Sequence, residues 1–433
     1  MLRRMLLCVL LPALPVLGAP DDWPRWRGPL DTGMARGDLP LRWSDDENVA
    51  WKTPIPGRGF SSPVIWGDRL FLTTAVPEKT PEAPEPGRRG PGGGFAAGVP
   101  HRFLVMAIDR NSGKVLWERV ATSAAPHEGY HHRYGSFASH SPVTDGNMVY
   151  AFFGSRGVYA YSLDGKLAWS RPFPPMRMRN AFGEGTAPVL DGDRLILGFD
   201  QEENSHLLVL DKRTGKQIWR ADRDEVSAWS PPLVTEVNGK KQIIVGATRR
   251  VRAYDYDTGK VVWETAGLGT NVIPAPVVFQ NVVVVMSGHR DPNLLAIRLG
   301  RTGDLTGSDA ILWTNQRGNS YTASPVLHEG KIYFVTDSGL VNCFDVLTGE
   351  AHYRQQRLPQ PYNFKASPVG AGGKLYLATE QGDVVVLKLG TAYEVLATNT
   401  LSGQMFIASP AVAEGDLYLR GQNTLFCIRE GGR

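Results

Sequence analysis

Apolar positions along this chain fall in short runs separated by polar turns rich in Gly, Asp and Asn. None of the runs recurs at the 3.6-residue spacing of an amphipathic helix, and the pattern predicts short β-strands. From Ala323 the chain reads ASPVLHEGKIYFVTDSGLVNCFDVLTG: a Ser-Pro-Val phrase, a Gly turn, an aromatic strand, another strand, then Asp-x-x-Thr-Gly. Similar phrases start at Ser61, His140, Thr186, Trp229, Pro274, Ala366 and Ala408. Aligned on Pro63, Pro142, Pro188, Pro231, Pro276, Pro325, Pro368 and Pro410, they follow at steps of 42 to 49 residues after a first step of 79. Eight copies at that period define a repeat architecture.

Each copy predicts four strands. The proline opens the first, where a missing N–H is tolerated. Asp145-Gly146, Asp191-Gly192, Asn238-Gly239 and Glu329-Gly330 turn it into the second. A third strand follows, then an Asp-x-x-Thr-Gly turn such as DKRTGK from Asp211, then a fourth strand carrying Trp219 or its counterpart. Four antiparallel strands repeated radially make a blade, so the fold class is all-β, an eight-bladed β-propeller. After Ala408 only three strands remain, while NVAWKTPIP from Asn48 precedes the first phrase. This N-terminal strand is expected to close the last blade, pairing around Cys427. Fourth-strand markers then run Trp51, Trp117, Trp169, Trp219, Trp263, Trp313 and Tyr353, with the strand from Tyr393 as the eighth.

Residues 1–18 read as a secretory leader: Arg3 and Arg4, then an apolar run from Met5 to Leu17, too short for a comfortable bilayer span. The protein is expected to be exported to the periplasm or cell envelope, with no membrane span after cleavage, and to be a monomer. Residues 19–47 are expected to cross the outside of the ring as an extended arm, with Trp23 and Trp26 as anchors. The propeller runs over 48–430, interrupted by a Pro/Gly-rich insertion at 77–102 expected to be disordered. Removing the two leader arginines takes the formal charge from +4 to +2, which gives no case for nucleic acid. Cys343 and Cys427 lie in different repeats and are expected to be buried free thiols.

AIDRNSGKVLW from Ala107, VLDKRTGKQIW from Val209 and AYDYDTGKVVW from Ala253 set a tryptophan four residues after a turn glycine. This resembles the tryptophan-docking repeat of quinoprotein-type propellers. WPRWRGP from Trp23, PIPGRGFSSPVIWGDRLFLTTA from Pro54 and VLATNTLSG from Val395 are similar to exported bacterial pyrroloquinoline-quinone (PQQ)-repeat proteins and to the propeller subunit of the outer-membrane assembly machinery. That resemblance implies the fold and leaves the function open.

The long segments from Pro77, Thr122 and Arg171 fall on the face of inter-blade and second-to-third-strand links, which makes that face the binding candidate. Candidate binding residues there are Arg58, His131, His132, Tyr134, His140, Glu184, Trp229, Asn271, Arg290, Tyr321 and Lys365. The histidines offer ligand types without a metal motif's spacing, and His131 and His132 are expected to point apart on an extended chain. Arg133, Arg156, Arg171, Arg177 and Arg179 suggest a cationic rim for a carboxylate-rich ligand. Phe60, Tyr130, Tyr134, Phe137, Phe182, Trp229, Tyr321, Phe364 and Phe406 are expected around the funnel mouth.

Two readings follow. In the first, a binding or scaffold protein engages an envelope protein or polymer, and no catalytic residue is assigned. In the second, a dehydrogenase with PQQ and calcium oxidises an alcohol or sugar. The chain lacks the adjacent cysteine pair typical of quinoprotein alcohol dehydrogenases, and the Cys-x-x-Cys-His of a haem site. The binding reading is therefore preferred, and no cofactor is assigned.

Overall fold

The computed structural model describes residues 22–80 and 96–431; the expected leader and residues 81–95 of the insertion lie outside them. Among the described residues the strands form eight sheets, one per sequence repeat. Blade 1 holds Val64–Trp66, Arg69–Pro77, His101–Asp109 and Val115–Ala124. Blades 2 to 7 follow in order, with first strands at Val143–Thr144, Val189–Asp191, Leu233–Val237, Val277–Phe279, Val326–His328 and Val369–Ala371. Blade 8 takes three strands from the C-terminus and its outer strand, Val49–Pro54, from the N-terminus. Trp51 pairs with Cys427, as the strand count predicts. The insertion expected from Pro77 to Arg102 is narrower than that: Val76 pairs with Arg102 and Pro77 with His101, because strands two and three of blade 1 run on past the ring.

The serine of the Ser-Pro-Val phrase has a structural cause. Ser62 N donates to Ser141 Oγ, Ala275 N to Ser324 Oγ, Ser324 N to Ser367 Oγ, Ser367 N to Ser409 Oγ and Ser409 N to Ser62 Oγ, all at 2.8–2.9 Å. Each serine thus accepts a backbone N–H from the preceding blade, which that N–H needs because it is buried. The belt around the axis is interrupted at Ala187 and Ala275, which have no hydroxyl.

The docking tryptophans hold the periphery. Trp51, Trp117, Trp169, Trp219 and Trp313 each donate Nε1–H to a turn carbonyl of the next blade at 2.8–2.9 Å. The rings lie on Gly113, Gly165, Gly215, Gly259 and Gly349. Trp263 departs from this pattern because the third-to-fourth-strand link of blade 5 is long. Gly303–Asp304 instead adds a parallel strand to blade 4 beside Trp263, which turns its indole to Gln242 Oε1. The eighth marker, the strand from Tyr393, is the outer strand of blade 7 (Val395–Thr400), and its docking position, opposite Val386, is Ala397. Trp43 of the arm lies in the same buried cluster as Ala397, held by its backbone N–H, which donates to Asn399 Oδ1.

The arm itself runs through the axial channel rather than around the outside. Trp23 bridges Ile65 in blade 1, Pro24 O accepts from Thr144 N in blade 2, and Gly33 and Ala35 pair with Gly370 in blade 7. The inner edges of first strands carry unpaired backbone groups, and an extended segment inside the ring satisfies them. Arg27 crosses the channel and donates to Pro325 O and Pro368 O at 2.9 and 3.0 Å; burial pulls its pKa down to about 9. Asp38 then meets the blade 7 hairpin at Lys374, so the arm closes the hairpin end of the channel.

Candidate functional site

The opposite end of the channel opens as a funnel on the long-loop face. Its cavity of about 170 Å3 is walled by residues that precede first strands, including Phe60, Thr186, Trp229 and Lys365, with Trp26 of the arm contributing to its wall. Trp26 reaches it from the arm because its Nε1–H is fixed on Ser409 Oγ at 3.0 Å. Trp229 is fixed by its own indole N–H to Gly183 O at 2.9 Å.

Of the eleven candidate residues, Tyr134, Trp229 and Lys365 line this cavity. Lys365 is salt-bridged to Asp337, lies 3.8 Å from Glu380 Oε1, and sits over the Tyr134 ring at 4.6 Å. Burial, then the Glu380 carboxylate, pushes the Tyr134 phenol up. Arg133 Nη2 approaches Glu380 Oε2 at 3.0 Å, and Asp337 also accepts from Thr322 N at 3.0 Å. Asp337, Glu380 and Thr322 were missed in the sequence. Asp337 and Glu380 follow second strands in corresponding blades, and that shared repeat position was the available signal.

The other candidates fall into separate places. Arg58 is a staple for the turn after His131: it donates to Gly135 O, His132 O and Arg133 O at 2.9 Å and covers Phe60 and Tyr130. His131 and His132 do not point apart; a tight turn closed by Gly135 N to His131 O stacks their rings 5.0 Å apart at 15°. Burial first, then the neighbouring His132, keeps the His131 pKa low. His140 and Glu184 line a smaller cavity behind the funnel. Both Glu184 oxygens accept from Ser155, at 2.5 Å from its N and Oγ, while burial raises the carboxyl pKa. Asn271 Nδ2 donates to Tyr321 Oη at 3.2 Å, and Tyr321 stacks on His289 at 4.7 Å. Arg290 lies exposed on the rim.

Two group expectations change as well. Tyr130, Phe364 and Phe406 are buried, packing between blades rather than ringing the mouth. The arginines do not form a free cationic rim: Arg177 pairs with Glu203, Arg179 with Glu202, Arg156 with His127, and Arg171 lies on an outer strand bonded to Gly215 O. Among the described residues no cluster of three or more His, Cys, Asp or Glu could hold a metal ion.

The blades, the docking tryptophans and the closing strand together define a PQQ-repeat β-propeller. The family model described as outer membrane protein assembly factor BamB matches residues 101–356, more than half of the chain, and the chain belongs to that family. No curated protein sequence matches it. BamB from Moraxella catarrhalis is similar in structure, with a TM-score of 0.55 at 15% identity over 78% of this chain and 95% of that one. Quinohemoprotein alcohol dehydrogenase from Comamonas testosteroni gives 0.66 at 12% identity, covering 96% of this chain and 82% of that one. A europium-containing methanol dehydrogenase gives 0.66 at 10% identity, covering 93% and 91%. At such identities these likenesses carry the fold alone.

Proposed function

We propose that this protein is exported to the cell envelope and works by binding, presenting its long-loop face to an envelope protein or polymer. One observation carries the reading: the funnel is a concave site whose ionic groups are already charge-paired with one another. Lys365 faces Asp337 and Glu380, and Glu380 faces Arg133. Such a wall is preorganised for recognition, because pairing already holds Lys365 in place before a partner docks.

The alternative, a dehydrogenase using PQQ and calcium, has fold likeness in its favour. The residues present do not fit that pair. PQQ needs free cations for its carboxylates and calcium needs six to eight oxygen ligands. Lys365 is already paired, Glu184 is spent on Ser155, and a cavity of about 170 Å3 is small beside the roughly 300–1,000 Å3 of sites for drug-sized ligands.

Photo-cross-linking from Arg290 and His132 in native envelopes, run beside a dye-linked dehydrogenase assay with PQQ and calcium, tests the reading. One specific cross-linked partner with no dye reduction is the expected result. Alcohol-dependent dye reduction lost in Trp229→Ala would sink it.

A further inference from the structure

We infer that the funnel takes one neutral, hydroxyl-rich ring, a hexose-sized sugar unit, held against Trp229 and Trp26. The inference rests on the binding reading and names the ligand class of its site.

Charge selects a neutral ligand. Lys365 is the one Lys, Arg, Asp, Glu or His side chain lining the cavity among the described residues. Behind it stand Asp337 and Glu380, and Arg133 balances the second carboxylate. Two cations and two carboxylates leave this wall without net charge. The Glu380 side chain is 1% exposed, so its carboxylate is sheltered from water although Arg133 is half-exposed. An anion entering the funnel would meet a cation already matched, and its own desolvation would go uncompensated.

Hydroxyls select an oxygen-rich ligand. Ser62 and Ser141 accept backbone N–H groups in the inter-blade belt and keep their own protons free to donate. Both line the cavity, as does Thr186, whose Oγ1 is shielded from water and has no hydrogen-bond partner. A buried hydroxyl without a partner is unfavourable, and rotation about χ1 would carry this one from its shielded position to a ligand oxygen.

The indoles select a ring. Trp26 and Trp229 have their only polar atoms engaged, so each offers the cavity apolar ring surface alone. A pyranose has apolar C–H faces and a rim of hydroxyls, which matches a lining that holds both indoles and serines. At about 170 Å3 the cavity exceeds by far the roughly 10–15 Å3 that one water requires, yet it suits a single ring better than a chain.

The test is titration of the leaderless full chain with methyl hexosides, read by tryptophan fluorescence and by saturation-transfer NMR. Methyl glucuronide serves as the anionic match, and isolated neutral envelope polysaccharide is the second probe. The expected result is saturable binding of a neutral hexoside or of the polysaccharide, weakened about tenfold in Trp229→Ala and in the milder Thr186→Val. Saturation by the free hexoside points to a soluble sugar, and saturation by the polysaccharide alone to a glycan terminus. Binding of the glucuronide more tightly than the neutral hexosides overturns the inference. So does binding unmoved by both substitutions, or none from any neutral probe by protein with an intact melting transition. An envelope partner recovered by cross-linking in that last case leaves the binding reading standing.

Discussion

His140 shows how the repeat builds a residue into an environment its type does not suggest. It opens the second phrase, packs edge-on to Phe152 at 4.6 Å, and is closed off from water with no partner on Nδ1. Burial pulls its pKa down to about 3. In the unfolded chain it titrates near its ordinary 6.5, so between those values the unfolded state binds a proton that the native state refuses. The folded protein therefore loses stability as pH falls from about 6.5 towards 3, at up to about 1.4 kcal/mol per pH unit from this group. His140→Phe is expected to flatten that part of the curve, measured as urea midpoints at pH 7, 5.5 and 4. An unchanged slope would show that His140 is protonated when folded. The belt serines make a second residue-scale case. Ser367→Ala strands the buried Ser324 N–H and is expected to cost about 1–3 kcal/mol in urea unfolding. Ser409→Ala is expected to do the same through Ser367 N. The serine, the proline and the turn glycine were legible because they recur at a fixed period. Asp337 and Glu380 also share a repeat position, but their pairing was not legible, because it depends on Lys365 and Arg133, which lie in loops outside the periodic pattern.

At the scale of the element, one irregularity recurs in every blade. The third and fourth strands lose register just before the docking position, so that one residue bulges out: Leu116 before Trp117, Ile218 before Trp219, Leu396 before Ala397. A bulge sharpens the local twist, and here it precedes the side chain that reaches the neighbouring blade. It also explains why Leu116 and Ile218 are exposed although they lie in strands. The receiving element is the Asp-x-x-Thr-Gly turn. Asp255 Oδ1 accepts from Thr258 N at 2.9 Å and from its hydroxyl at 2.7 Å, and Gly259 ends the turn at φ +71°. A methyl at Gly259 would stand 2.6 Å from the Trp219 ring, whereas at Gly373 (φ +70°) nothing lies within 4 Å. Both Gly→Ala changes carry the left-handed penalty of about 1 kcal/mol. Gly259→Ala is expected to cost clearly more, because it also lifts the indole from its seat. Equal melting temperatures for the two variants would mean that the docked tryptophan adds little. The docking pattern was legible wherever the turn keeps its length. It failed at blade 5, where a longer link lays Gly303–Asp304 along blade 4. The outer strand of blade 7 carries Ala397 at the docking position and so has no ring to dock.

For the whole molecule, the N-terminal segment carries out two tasks that the sequence showed only in part. Its strand Val49–Pro54 closes the ring, which the strand count predicted. Its preceding residues thread the channel, which no periodic reading could find, since Arg27 recognises carbonyl oxygens some three hundred residues away and Trp23 fills a space that only the closed ring creates. Closure and plug therefore separate in a deletion. A chain beginning at Asp38 keeps the closing strand and Trp43 but loses Trp23, Trp26 and Arg27 from the axis. Loss of the wholly buried Trp23 alone is worth about 3–5 kcal/mol. The shortened chain is expected to melt at a lower temperature in a single cooperative transition, with the eight-blade far-UV signature intact. Trp51→Ala, which leaves the plug and removes the contact with Arg110 O and Gly113, is expected to loosen the seam between blades 8 and 1 instead. Hydrogen exchange distinguishes the two: the deletion should speed exchange at the inner edges of blades 1, 2 and 7, and Trp51→Ala at the strand from Thr424 to Ile428. Uniform acceleration in both variants would mean that plug and seam belong to one cooperative unit, and that the propeller cannot keep its ring closed without a filled axis.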